Sequence, residues 1–165
     1  MIEVLTDLFV STAFFASAVR LSVPLILAGT GEVISERAGI INIGLEGMML
    51  MGAFSGVVGA HLTGNPWLGA VAAAIGGIAV ASIHGFVVIR WAGDQIVSGI
   101  ALNLGALGLT TYLSRLLFST VQQGQVAHFI PIHIPLLSDI PFLGPVLFRQ
   151  TPLFYFAVAA AMALS

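Results

Sequence analysis

Hydrophobic positions dominate the chain in long runs, and polar residues gather in short breaks between them. A helix needs about 20 apolar residues to cross a hydrocarbon core. Four runs meet that length: Leu8 to Ile34, Ala38 to Leu62, Trp67 to Trp91 and Ile96 to Phe118. A fifth begins near Pro152 and runs to the last residues of the sequence, at Ser165. The breaks are short after the first three runs. They are Ser35-Glu36-Arg37, the turn signal Thr63-Gly64-Asn65-Pro66, and Arg90 to Gln95. The pattern therefore predicts an all-α, polytopic transmembrane helix bundle over residues 1–165, with about four complete spans and a truncated fifth. It is expected to be the N-terminal part of a longer protein.

The segment from Ser119 to Thr151 differs in kind. It opens with Gln122-Gln123-Gly124-Gln125 and then carries Pro131, Pro135, Pro141 and Pro145. Proline at that density forbids a continuous helix. The segment is too apolar for a free linker, so it is expected to fold over one membrane face in short interfacial pieces.

Composition agrees with the spans. Of 165 residues, 58% are hydrophobic and 7% charged, against roughly 25% charged in an average soluble domain. So few charges cannot cover a soluble globule, which excludes a cytosolic enzyme, a nucleic-acid binder and a disordered chain. The net charge of −2 calls for no polyanionic partner. With no cysteine there is neither a disulfide nor a thiolate metal site. The acids Glu3 and Asp7 at the N-terminus argue against a secretory signal.

Arginine placement orients the spans. Arg37 and Arg90 follow spans one and three, and the turn after span two is uncharged. Placing both in the cytoplasm makes the N-terminus and the 119–151 loop extracytoplasmic. Arg115 and Arg149 lie near the outer side and weaken this vote.

A few polar residues fall inside apolar runs, where each carries a cost and hence a reason. Asn42 and Glu46 stand four residues apart, on one face of the second span's first half. A carboxylate at mid-membrane costs roughly 2.5–3.5 kcal/mol. Glu46 therefore faces a pathway or a helix-joining network, or it pairs with Arg37 or caps a neighbouring helix. Arg20, followed by Pro24, either marks the entry of the first span after an interfacial stretch or is paired inside a bent span. In the fourth span Gln95, Ser98, Asn103, Thr110 and Thr111 form a sparse polar set. Asn103 is the candidate for an interior-facing role, beside the plainer one of interhelical hydrogen bonding.

Gly52-Ala53-Phe54-Ser55-Gly56, continued by Gly59, has the small-xxx-small spacing of a tight helix contact. His61, His84, His128 and His133 lack metal-ligand spacing and are expected to be structural, and Met48, Met49 and Met51 to pack or face lipid. No nucleophile arrangement, phosphate loop or metal cluster is present. Any energy source must come from a partner.

The stretch Ser35-Glu36-Arg37-Ala38-Gly39-Ile40-Ile41-Asn42-Ile43-Gly44-Leu45-Glu46-Gly47-Met48-Met49-Leu50 strongly resembles permease subunits of ABC importers for nucleosides and simple sugars, in the wider group that includes ribose and branched-chain amino acid permeases. Three further stretches fit: Arg20-Leu21-Ser22-Val23-Pro24-Leu25, Gly93 to Asn103, and Ile140 to Pro145. The resemblance implies a membrane-spanning subunit of an ATP-driven importer, with no ATPase site of its own. Its expected partners are a second permease subunit, cytoplasmic ATP-binding subunits that bind the ATP, an extracytoplasmic substrate-binding protein and membrane lipid, with no nucleic acid. It also implies a prokaryotic plasma membrane, with the 119–151 loop on the receiving side and a coupling region after the fifth span, beyond Ser165. Asn42, Glu46 and Asn103 are the candidate pathway or gating residues. Gly44, Gly47, Gly52 and Gly56 are the candidate packing residues. Two other readings of the residues are an ion-coupled secondary transporter with Glu46 as the coupling site, and a non-transporting membrane scaffold.

Overall fold

The computed structural model describes residues 11–119, 126–133, 135, 137, 138 and 140–164. The N-terminal acids, the start of the first predicted span and the polar run Gln122–Gln125 lie outside them. The described elements are helices α1 (Thr12–Arg37), α2 (Leu45–Thr63), α3 (Pro66–Gly85), α4 (Gln95–Phe118) and α5 (Pro152–Leu164). A π-helical turn, Phe86–Arg90, continues α3, and another at Gly144–Phe148 precedes α5. At 1.5 Å per residue, α1, α2, α3 with its π turn, and α4 are about 39, 29, 37 and 36 Å long. All four are long and apolar enough to cross a membrane, and α5 is a shorter apolar helix.

Local chemistry explains most boundaries. Helix α1 ends in a complete Schellman motif: Gly39 N–H donates to the Glu36 carbonyl (2.9 Å) and Ile40 N–H to that of Ser35 (3.0 Å). Gly39 adopts the left-handed conformation this needs, at φ +82°. Gly39→Ala is expected to cost about 1–2 kcal/mol through that φ, read as a lower thermal midpoint of the detergent-solubilised protein. The predicted turn after α2 falls at Gly64, with φ +65°, whose N–H donates to the Ala60 carbonyl. Asn65 then caps α3 through its side chain, accepting from Trp67 N–H at 2.9 Å, with Pro66 in the first helical turn. Asp94 caps α4 in the same way, accepting from Val97 N–H at 2.9 Å.

Two boundaries differ from the sequence reading. Helix α2 starts at Leu45 and not at Ala38, because the glycine cap ends α1 at Arg37 and residues 38–44 are not helical. Asn42 therefore lies in the connection before α2 and not on its face with Glu46. Arg20 does not open α1. It sits about two turns inside an unbroken helix that also runs through Pro24.

The chain forms two compact units. One comprises the described residues up to Thr30 together with those from Phe129 onward; the other is Gly31–His128. In the first, Val23 of α1 and Phe154 and Ala157 of α5 form a buried cluster, flanked by Val19, Ile26, Leu27 and Val158. Gln150 is fully buried there. Its Nε2 donates to the Val146 carbonyl at 2.7 Å, and its own carbonyl accepts from Ile132 N–H at 2.9 Å. The 126–151 stretch is short turns plus the π turn, with no long helix among its described residues.

In the second unit α2 packs on both α3 and α4. The α2–α3 contact runs along small residues. A Cβ on Gly59 would lie 2.6 Å from Ala72 Cβ, one on Gly56 3.1 Å from Ala73 Cβ, and one on Gly52 3.3 Å from the Ala73 carbonyl oxygen. The two backbones can approach because these side chains are missing, and in lipid such packing replaces the hydrophobic effect between helices.

Candidate functional site

The connection 38–44 has left the helical ladder, so its backbone groups need other partners. Side chains of α1 and α4 supply them. Gln95 Oε1 accepts from Ile41 N–H at 2.7 Å, and Glu32 Oε1 accepts from Asn42 N–H at 3.0 Å. Asn103 makes two bonds at once: its Oδ1 accepts from Gly47 N–H at 2.7 Å and its Nδ2 donates to the Ile43 carbonyl at 2.9 Å.

Asn103 stands in for a cap that α2 lacks. The N-cap position of α2 is Gly44, which has no side chain to accept from the first-turn N–H groups. Asn103 reaches across from α4 and satisfies the third of them. Gly47 and Gly99 allow the two backbones to approach here. A Cβ on Gly99 of α4 would lie 2.7 Å from Gly44 N and 2.9 Å from Ile43 C, and one on Gly47 would lie 2.9 Å from the Leu102 carbonyl oxygen. The start of α2 thus crosses α4 backbone to backbone at Gly44, Gly47 and Gly99.

The crossing has a consequence for depth. Gly99 and Asn103 lie about 6 and 12 Å along α4 from its start at Gln95. The non-helical connection therefore reaches well inside the length of a membrane-spanning helix. Where irregular backbone enters the hydrocarbon core, it is tolerated only if protein buries it or water lines it.

The predicted site residues are not alike. Asn42 and Asn103 are half-buried and belong to this one constellation. Asn42 Nδ2 lies 3.4 Å from Met48 Sδ. Glu46 is exposed in the first turn of α2, with no hydrogen bond or ion pair among the described residues. A carboxylate there is favoured by the helix dipole, which lowers the cost expected of it from mid-span placement. Gly44 and Gly47 form the α2–α4 crossing, whereas Gly52 and Gly56 face α3. His84 is buried, and its Nδ1 lies 3.1 Å from Ser98 Oγ.

Two residues were missed from sequence. Glu32 stands two positions before the end of the first apolar run, where a charged residue passes for the polar flank of a span. The signal available was its spacing from Asn42 across a single glycine-terminated connection. Gly99 was hidden among 19 glycines; its place four residues before Asn103, one turn down the same face, could have marked it.

The comparisons with known proteins agree with one another. The family model described as "Branched-chain amino acid transport system / permease component" matches residues 14–165. The chain is 40% identical to the putative glucose ABC transporter permease protein of Haloferax volcanii, over 87% of this chain and 44% of that protein. It is 36% identical to the guanosine ABC transporter permease protein NupQ of Bacillus subtilis, over 100% of this chain and 51% of that one. It is 41% identical to the nucleoside ABC transporter permease protein NupC of Lactococcus lactis, over 80% and 44%. The chain thus spans about half the length of these curated relatives. No solved structure matches it. With four helices of membrane-crossing length and a family match over nearly its whole extent, the chain is a multi-pass membrane protein and belongs to the family of permease components of branched-chain amino acid transport systems.

Proposed function

We propose that the protein is the membrane-spanning permease subunit of an ATP-driven importer for nucleosides or simple sugars, and that residues 38–47 with Asn103 line part of its passage. What carries the reading is the activity named for the relatives, which are ABC transporter permeases for guanosine, nucleosides and glucose, matched over 80–100% of this chain. The broken connection between α1 and α2 supports it, because interrupted backbone held at depth by polar side chains is how transporters build substrate paths. Asn42, Glu46 and Asn103 are the pathway or gating residues of this proposal. Gly44 and Gly47 hold the α2–α4 crossing, and Gly52 and Gly56 the α2–α3 contact.

The subunit acts with a second permease, cytoplasmic ATP-binding subunits that bind the ATP, and an extracytoplasmic substrate-binding protein. It sits in the plasma membrane of a prokaryote, with its N-terminus and the 119–151 loop outside, as the placement of Arg37 and Arg90 argues.

The test is uptake by proteoliposomes holding the full-length permease with its ATP-binding and substrate-binding partners. ATP-dependent accumulation of a nucleoside or a simple sugar is the expected result. Accumulation that follows a proton or sodium gradient and ignores ATP would overturn it. Glu46→Gln separates two roles for that residue. Because Glu46 is exposed and unpartnered among the described residues, its membrane level is expected to stay at wild type while uptake falls. Unchanged uptake at normal level removes Glu46 from the passage.

A further inference from the structure

Among the described residues, two acceptor atoms, Glu32 Oε2 at the end of α1 and Asn42 Oδ1 in the connection after it, are buried with no donor. They belong to the pair already joined by the bond from Asn42 N–H to Glu32 Oε1. An acceptor buried without a donor carries a free-energy cost that exposure to water returns. Opening the connection would break the Glu32–Asn42 bond and gain hydration at both orphaned oxygens. The two terms oppose each other, so hydration of the orphaned oxygens offsets part of what the Glu32–Asn42 bond contributes to the held arrangement.

The neighbouring anchors divide the segment. From Ile43 onward it is fixed to α4 by the Gly44–Gly99 approach and by both Asn103 bonds. At its other end the Schellman motif fixes Gly39 and Ile40 to the last turn of α1. Between them, among the described residues, two side-chain bonds tie the backbone to neighbouring helices, Glu32 to Asn42 and Gln95 to Ile41, beside the local bond from Leu45 N–H to the Asn42 carbonyl at 3.3 Å. Glu32 reaches from α1 itself, so it is the one that sets where α1 ends relative to the start of α2.

We propose that Glu32 is a positioning residue for transport: its carboxylate latches Asn42 and thereby sets the equilibrium of a gate formed by Ile41 and Asn42 between their two anchors. The latch stands on the hydrogen-bond geometry alone; its part in transport rests on the permease reading above. Glutamine keeps an acceptor for Asn42 N–H and places N–H donors where the orphaned oxygen stood. Alanine keeps neither.

The experiment is hydrogen–deuterium exchange with mass spectrometry on the full-length permease in lipid nanodiscs, with its partner subunits, for wild type, Glu32→Ala and Glu32→Gln. Exchange in peptides covering 38–47 is expected to be about tenfold faster in Glu32→Ala, with α3 and the rest of α4 unchanged. Glu32→Gln is expected to exchange at the wild-type rate or slower. Uptake at saturating solute is expected to fall about tenfold in Glu32→Ala and to stay near wild type in Glu32→Gln. Unchanged exchange in Glu32→Ala, a rise spread equally over the other helices, or a glutamine variant that behaves like alanine would overturn the latch. If exchange responds as expected while uptake is normal in all variants, the latch exists and its role in transport fails. If wild type itself transports nothing, the permease reading fails, and the exchange contrast still decides the latch.

Discussion

Asn103→Ala is expected to destabilise the protein by about 1–3 kcal/mol, seen as a lower thermal midpoint in detergent and a reduced level in the membrane. An average side-chain hydrogen bond in a membrane bundle is worth only about 0.6 kcal/mol, so the larger figure needs a reason. Both of its partners are backbone groups, Gly47 N–H and the Ile43 carbonyl; the two stand four residues apart, so Asn103 bridges a pair that could bond each other directly only if α2 wound one turn further back. Leaving a buried backbone group unpaired costs roughly 1–3 kcal/mol, and of the two bonds only the one to Gly47 is part-buried, the one to Ile43 being exposed. The half-exposure of Asn103 lets water recover part of that, which keeps the total within that range. Asn103→Asp is expected to fall between. Its carboxylate still accepts from Gly47 N–H, at a helix N-terminus that favours negative charge, but it cannot donate to Ile43. A wild-type midpoint in the alanine variant would remove the cross-helix cap from the account.

Gly99→Ala is expected to be as damaging, and by a different route. The added Cβ would meet Gly44 N at 2.7 Å and Ile43 C at 2.9 Å. Both are backbone atoms, so no rotamer change relieves the clash and the helices must separate. Overpacking of this sort costs typically about 1–3 kcal/mol. Separation would also stretch both Asn103 bonds, so this variant and Asn103→Ala should combine less than additively. Gly105→Ala supplies the control on the same helix. Nothing lies within 4 Å of its Cβ position, and alanine for glycine in a helix gains roughly 0.8–1.0 kcal/mol. The two alanines should therefore move the midpoint in opposite directions. Equal shifts would show that the Gly44–Gly99 approach is looser than described.

The spans, the turn at Gly64 and the polar set of α4 were legible because each has a local cause: length of apolar run, left-handed glycine, capping side chain. The start of α2 was not. No polar residue interrupts the apolar run from Ile40 to Ile43 except Asn42, and the capping group sits 56 residues away in sequence. Asn42 and Glu46 looked like one helical face because the spacing of four is helical; the Schellman motif at Gly39 removes Asn42 from that helix. Asn103 stood out because an amide in an apolar run must find partners, yet sequence alone did not name them. Glu32 passed unnoticed because its distance from the end of its run is ordinary. What makes it unusual is an oxygen left without a donor, which only three dimensions reveal.

The borrowed cap also fixes an order of assembly. Gly47 leaves the ribosome 56 residues before Asn103, which at about 5–20 residues per second is a wait of roughly 3–11 s. Through that interval the first turn of α2 must be satisfied by water or by the insertion machinery, so the start of α2 matures only once α4 has entered the bilayer.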